Sequence, residues 1–123
     1  MAEKPSQQGE HLDRASLLDR VEGDQELLAE MIQLFLADIP HLLDAMRNAL
    51  HQGDMILLER SAHSIKGAAG NMSAMVTVNA ASSLEQSAKK GDRELSKANL
   101  AALEIAVDRL LPVLADLCQE VSK

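Results

Sequence analysis

The chain has 123 residues, 46% of them hydrophobic, which suits one domain with its own core. Aromatic content is 1%, the single Phe35, so the core must be built from Leu, Ile, Val, Met and Ala. That favours helix on helix over a β-sandwich and removes the stacking platforms that single-stranded nucleic acid needs. The net charge of −7 argues against nucleic acid and against direct contact with anionic membrane surfaces.

Residues 1–11 read as a flexible tail or linker, since Pro5, Ser6, Gln7, Gln8 and Gly9 are polar or helix-breaking and show no periodicity. A helical domain is expected over 12–123. Leu12 to Val21 predict a short helix that stops near Gly23, with Asp24 as N-cap of the next. Leu28, Ile32, Phe35, Ile39, Leu42, Met46 and Leu50 then recur at steps of three and four, an amphipathic helix. Pro40 should kink or break it near Asp38–Pro40, because an interior proline costs about 3 kcal/mol unless the chain bends.

Gly53-Asp54 reads as a stop followed by a cap. The third long pattern runs from Asp54 to about Ala69, and Gly70-Asn71 is expected to close it, as both residues tolerate a left-handed backbone. Ser73 is a candidate cap for a helix reaching about Lys90, with Ala81, Leu84 and Ala88 inward. Gly91-Asp92 repeats the stop and cap. The last helix carries Leu103, Val107, Leu110, Leu114, Leu117 and Val121, with a bend expected at Pro112. Cys118, the one cysteine, excludes an internal disulfide and reads as a small hydrophobe on that helix. Short connections imply antiparallel neighbours. The architecture is therefore an all-α, up-down-up-down four-helix bundle, with a short extra N-terminal helix across one end. A bundle that buries its own stripes is expected to be a monomer. With no secretory signal and no apolar run of the roughly 18 residues a membrane span needs, a cytoplasmic location is expected.

The chemistry lies in Ala62-His63-Ser64-Ile65-Lys66-Gly67-Ala68-Ala69-Gly70. At 100° per residue, Leu58, Ala62, Ile65 and Ala69 form the inward side, and His63 falls about 130° from its centre. Lys66 and Gly70 share the flank of His63, and Gly67 lies just beyond. The helix thus offers an imidazole to solvent, sets a cation one turn along and strips side chains from the surface beside it. A neutral imidazole attacks phosphorus through its unprotonated nitrogen, and Lys66 at i+3 can pair with phosphoryl oxygens. A glycine inside a helix costs about 1 kcal/mol against alanine, which makes sense at Gly67 if a partner must approach the backbone. Taken singly, each residue has a plainer reading: a solvated histidine and lysine, a glycine for close packing, and a helix stop at Gly70.

Ala62-His63-x-x-Lys66-Gly67 resembles the signature of histidine-containing phosphotransfer (HPt) domains, the intermediate carriers of bacterial phosphorelays. The resemblance runs from about Leu17 to Leu117. It includes Gly23-Asp24, Leu27 to Phe35, Ile39-Pro40, Gly53-Asp54, and Leu84-Glu85 with Gly91-Asp92 after it. It implies a carrier that takes a phosphoryl group from a receiver-domain aspartate and passes it to another. His63 would be the phosphorylated residue, through Nε2; Lys66 would stabilise the phosphoryl group, and Gly67 would leave room for partners. Glu85 stands where a polar side chain, often glutamine, orients the histidine. It either holds Nδ1–H and raises the basicity of the attacking nitrogen, or is an ordinary exposed glutamate. Ser73 departs from the pattern, since glycine is common there.

The expected partners are phosphorylated receiver domains and a hybrid histidine kinase, with the domain either a free carrier or covalently linked to that kinase. The tail and the C-terminus just after the last helix point to a terminal module. The domain itself would bind no cofactor, and the receiver would supply Mg²⁺. No nucleotide-binding loop is present in the sequence. Met55 and Met75 are candidates for a docking surface, with core packing as their other reading. The rival functions are a non-catalytic helical docking or adaptor domain and a metal site on His41, His51 and His63. The metal site lacks the paired i, i+4 ligand geometry of helical metal centres.

Overall fold

The computed structural model describes residues 11–122. Among them are five helices and no strand: α1 Arg14–Arg20, α2 Gln25–Gln52, α3 Met55–Asn71, α4 Met75–Lys89 and α5 Arg93–Val121. The tail expected over 1–11 otherwise lies outside the described residues, but His11, its last residue, is buried, as is Leu12 beside it.

Aspartates start four of the helices. The side chains of Asp13, Asp24, Asp54 and Asp92 each accept the backbone N–H three residues on, at 3.0 Å. Each satisfies an amide the helix leaves open, for about 1 kcal/mol. Gly53 (φ 74°) and Gly91 (φ 71°) supply the left-handed residue of the turns at one end of the bundle.

The turn at the other end departs from expectation. Gly70 is helical and does not close α3, which continues to Asn71. The left-handed residue is Ser73 (φ 54°), and Ala74, with no side-chain cap, precedes α4. A non-glycine residue in this conformation costs about 1–2 kcal/mol. Contacts from α1 offset that cost. The Ser73 hydroxyl accepts from Arg20 Nε at 3.1 Å and donates to Ser16 Oγ at 3.0 Å, while the Ser73 carbonyl accepts from the Asp13 N–H at 3.0 Å. The glycine common at this place in the resembling family would adopt the same φ unaided.

Neither proline breaks its helix; α2 and α5 run through Pro40 and Pro112. Both prolines are exposed, so the carbonyl that each leaves without an N–H partner lies on the watered side. Beyond Pro40 the inward set is Leu43, Met46 and Ala49, and Leu42 and Leu50 sit half-buried at its edge.

The helices close into a ring in which α2 packs on α3 and α5, and α4 packs on α3 and α5. With connections this short, neighbours run antiparallel. Helices α2 and α5, of 28 and 29 residues, outreach α3 and α4, of 17 and 15 residues, by roughly 15 Å or more at 1.5 Å per residue. Helix α1 covers the α3–α4 turn beneath that overhang, with Leu17 fully buried and Arg14 paired to Glu120 of α5. Leu28, Ile32, Leu58, Ile65, Leu84, Leu103 and Leu110 fill the middle. Cys118 is half-buried against this core. On the α2–α5 seam, Arg47 pairs with Asp44 one turn back and with Glu104 opposite. Arg93 donates to the His51 carbonyl at 2.8 Å, tying the start of α5 to the end of α2. Among the described residues no helix is long and apolar enough to cross a membrane.

Candidate functional site

Leu58, Ala62, Ile65 and Ala69 of α3 are completely buried, and that phase turns His63 outward. Its side chain is 67% exposed. On α4, Leu84 and Ala88 face the core and bring Glu85 to the seam with α3, where its side chain is only 18% exposed. The Glu85 carboxylate reaches two groups of α3 at once. Oε2 lies 2.8 Å from His63 Nδ1, and Oε1 lies 2.6 Å from Lys66 Nζ.

This arrangement decides the electrostatics. The Lys66 ammonium holds the Glu85 carboxyl below the ordinary carboxylate range; burial opposes this, and the His63 imidazole adds to it. An ionised carboxylate has no proton to give, so Nδ1 is the donor of the pair. Nε2 is the ring nitrogen that Glu85 leaves open, and in the neutral ring it bears the lone pair. The site is an exposed imidazole engaged through Nδ1, with a cation one helical turn along.

The surface beside it is bare. A Cβ added at Gly67 or at Gly70 would meet nothing within 4 Å, so both glycines leave open space on the His63 flank. Met75 is 54% exposed at the first position of α4, whereas Met55 is half-buried and packs against the core. Sequence reasoning brought His63, Lys66 and Glu85 together but missed that Glu85 holds Lys66 as well as His63. The signal was available: two α3 residues three apart share a face, so one carboxylate on the next helix can reach both. Among the described residues, no three His, Cys, Asp or Glu side chains converge on a point where a metal ion would sit.

A family model of the Hpt domain matches residues 30–113, a span that contains His63, Lys66, Gly67 and Glu85. The crystal structure of histidine-containing phosphotransfer protein B from Pseudomonas aeruginosa is similar, with a TM-score of 0.78 and 28% sequence identity. The match covers 91% of this chain and 95% of that one. No curated protein sequence matches.

Proposed function

The chain belongs to the Hpt domain family, and from that premise we propose that His63 Nε2 is the atom that carries the phosphoryl group. The protein is a histidine phosphotransfer intermediate of two-component signalling, acting with receiver domains and histidine kinases. The observation that supports His63 is its exposed imidazole, tied through Nδ1 to Glu85 at 2.8 Å.

In the proposed reaction the Nε2 lone pair attacks the phosphorus of a receiver's aspartyl phosphate. The Nε2–P bond forms, the acyl P–O bond breaks, and its electron pair restores the aspartate carboxylate. Return transfer to a second receiver reverses these events. Glu85 holds the Nδ1 proton throughout, so the ring neither flips nor changes tautomer. Lys66, one helical turn along, would meet the phosphoryl oxygens, and the bare flank at Gly67 and Gly70 would admit the receiver. Met75 would lie at the apolar rim of that contact. The receiver would supply Mg²⁺ and most of the catalytic groups, and the carrier would work as a monomer in the cytoplasm.

The test is transfer from a panel of radiolabelled, phosphorylated receivers, with His63→Gln alongside. Label that moves to the unmodified chain, survives alkali, is lost in acid and is absent from the variant supports the assignment. Failure with receivers that demonstrably bind would favour a docking domain without chemistry.

A further inference from the structure

We propose that Glu85 is a positioning residue that shortens the life of phosphorylated His63, keeping the phosphoryl group ready to leave. The inference rests on the assignment of His63 above. It starts from one carboxylate with both oxygens occupied: Oε2 by His63 Nδ1 at 2.8 Å and Oε1 by Lys66 Nζ at 2.6 Å. Glu85 is mostly covered, and both partners are anchored three residues apart on one helix, so neither contact is a chance of a mobile surface chain.

The first consequence concerns the leaving group. Phosphorylation at Nε2 with the proton kept on Nδ1 makes the ring a cation, and a carboxylate acceptor favours that form through a charge-assisted hydrogen bond. When an incoming oxygen attacks phosphorus, the new O–P bond forms and Nε2–P breaks. The electron pair returns to Nε2, and neutral imidazole is left with its proton still on Nδ1. A ring that had lost this proton would have to leave as imidazolate, a far poorer leaving group. A neutral amide at position 85 would preserve the geometry and lose most of this effect.

The second consequence concerns Lys66. A phosphoryl group on His63 and the carboxylate of Glu85 are two anions competing for one ammonium. While Glu85 is ionised, Lys66 is shared, and the phosphoryl oxygens are neutralised less than they would be by a free lysine. The first keeps the phosphorylated ring in its protonated, reactive form, and the second withholds from the phosphoryl oxygens part of the charge that would settle them. That suits an intermediate, which must accept the group without becoming its resting place.

The experiment uses the full chain and potassium phosphoramidate, which needs no receiver: Nε2 attacks phosphorus and ammonia departs with a proton. Loss of the phosphoryl group to water, giving inorganic phosphate, is then followed by ³¹P NMR at neutral pH. We expect Glu85→Gln to lengthen the half-life about threefold to tenfold, the range that replacing a charge-assisted hydrogen bond with a neutral one implies. An equal or shorter half-life overturns the proposal. On the Glu85→Gln background, Lys66→Met should shorten the half-life again; an unaltered half-life overturns the competition for Lys66. In the unmodified protein, long-range ¹H–¹⁵N spectra should show the Nδ1–H tautomer of His63, and a predominant Nε2–H tautomer overturns the proposal without any mutation. His63→Gln is the separate control: if it loads like the wild type, the assignment of His63 fails, whatever Glu85 does.

Discussion

On the α2–α5 seam, Arg47 pairs with Asp44 and Glu104; on the α3–α4 seam, Glu85 pairs with His63 and Lys66. Each cluster puts one charged group between two partners and ties neighbouring helices together. The difference lies in what remains. Around Arg47 each group is a permanent ion matched by its opposite, and the cluster offers no nucleophile. Around Glu85 one partner is an imidazole, which uses one nitrogen for the contact and leaves the other open. An ion pair across a seam is therefore no sign of a site by itself. The informative feature is an anchored group with reactive capacity left over and exposed.

The strongest way to break this contrast is His63→Gln, which should abolish phosphoryl uptake from receivers and from phosphoramidate while leaving helicity and Tm unchanged. Next comes the bare flank. Gly67→Leu should cut transfer from a receiver about tenfold or more by obstructing docking, yet leave loading by phosphoramidate intact. The smaller Gly67→Ala should raise Tm by a few degrees, since it removes up to about 1 kcal/mol of helix penalty and meets no neighbour.

Acid sharpens the comparison differently. The folded pKa of Glu85 is lowered, so its ion pair stabilises the fold above the ordinary value of 4.5 and loses that contribution as pH falls through the folded pKa. Melting curves taken downward from pH 5 should show a steeper loss for the wild type than for Glu85→Gln. The smallest effect is expected from Arg47→Ala. Its partners are partly to largely exposed, so the loss should stay within about 1 kcal/mol, with phosphotransfer unchanged.

What could be read from the sequence follows the range of the forces involved. Asp24, Asp54 and Asp92 cap as expected, and Gly53 and Gly91 turn as expected, because these signals act within four residues. The outward phase of His63 was equally local, fixed by Leu58, Ala62, Ile65 and Ala69. The α3–α4 turn was misread at Gly70 and Ser73 because the groups holding Ser73 come from α1, more than fifty residues earlier. Of the kink or break expected at Pro40, the break does not occur: α2 continues through it, packed on α3 and α5, as tertiary packing overrides a local penalty. The pairing of Lys66 with Glu85 is only half legible for a related reason: the shared face of His63 and Lys66 is local, but the carboxylate that meets it is not. Periodicity gives each helix a face, but the register between two helices emerges only when they pack.

The Ser73 turn also sets how the molecule opens. Its geometry depends on Asp13, Ser16 and Arg20, so α1 and the α3–α4 turn should come apart together or not at all. In native-state hydrogen exchange, the amides of Asp13 and Ala74, bonded to the carbonyls of Ser73 and Ala69, should exchange as one cooperative unit. The Gly53 and Gly91 amides, held by bonds within their own turns, should open independently at the far end.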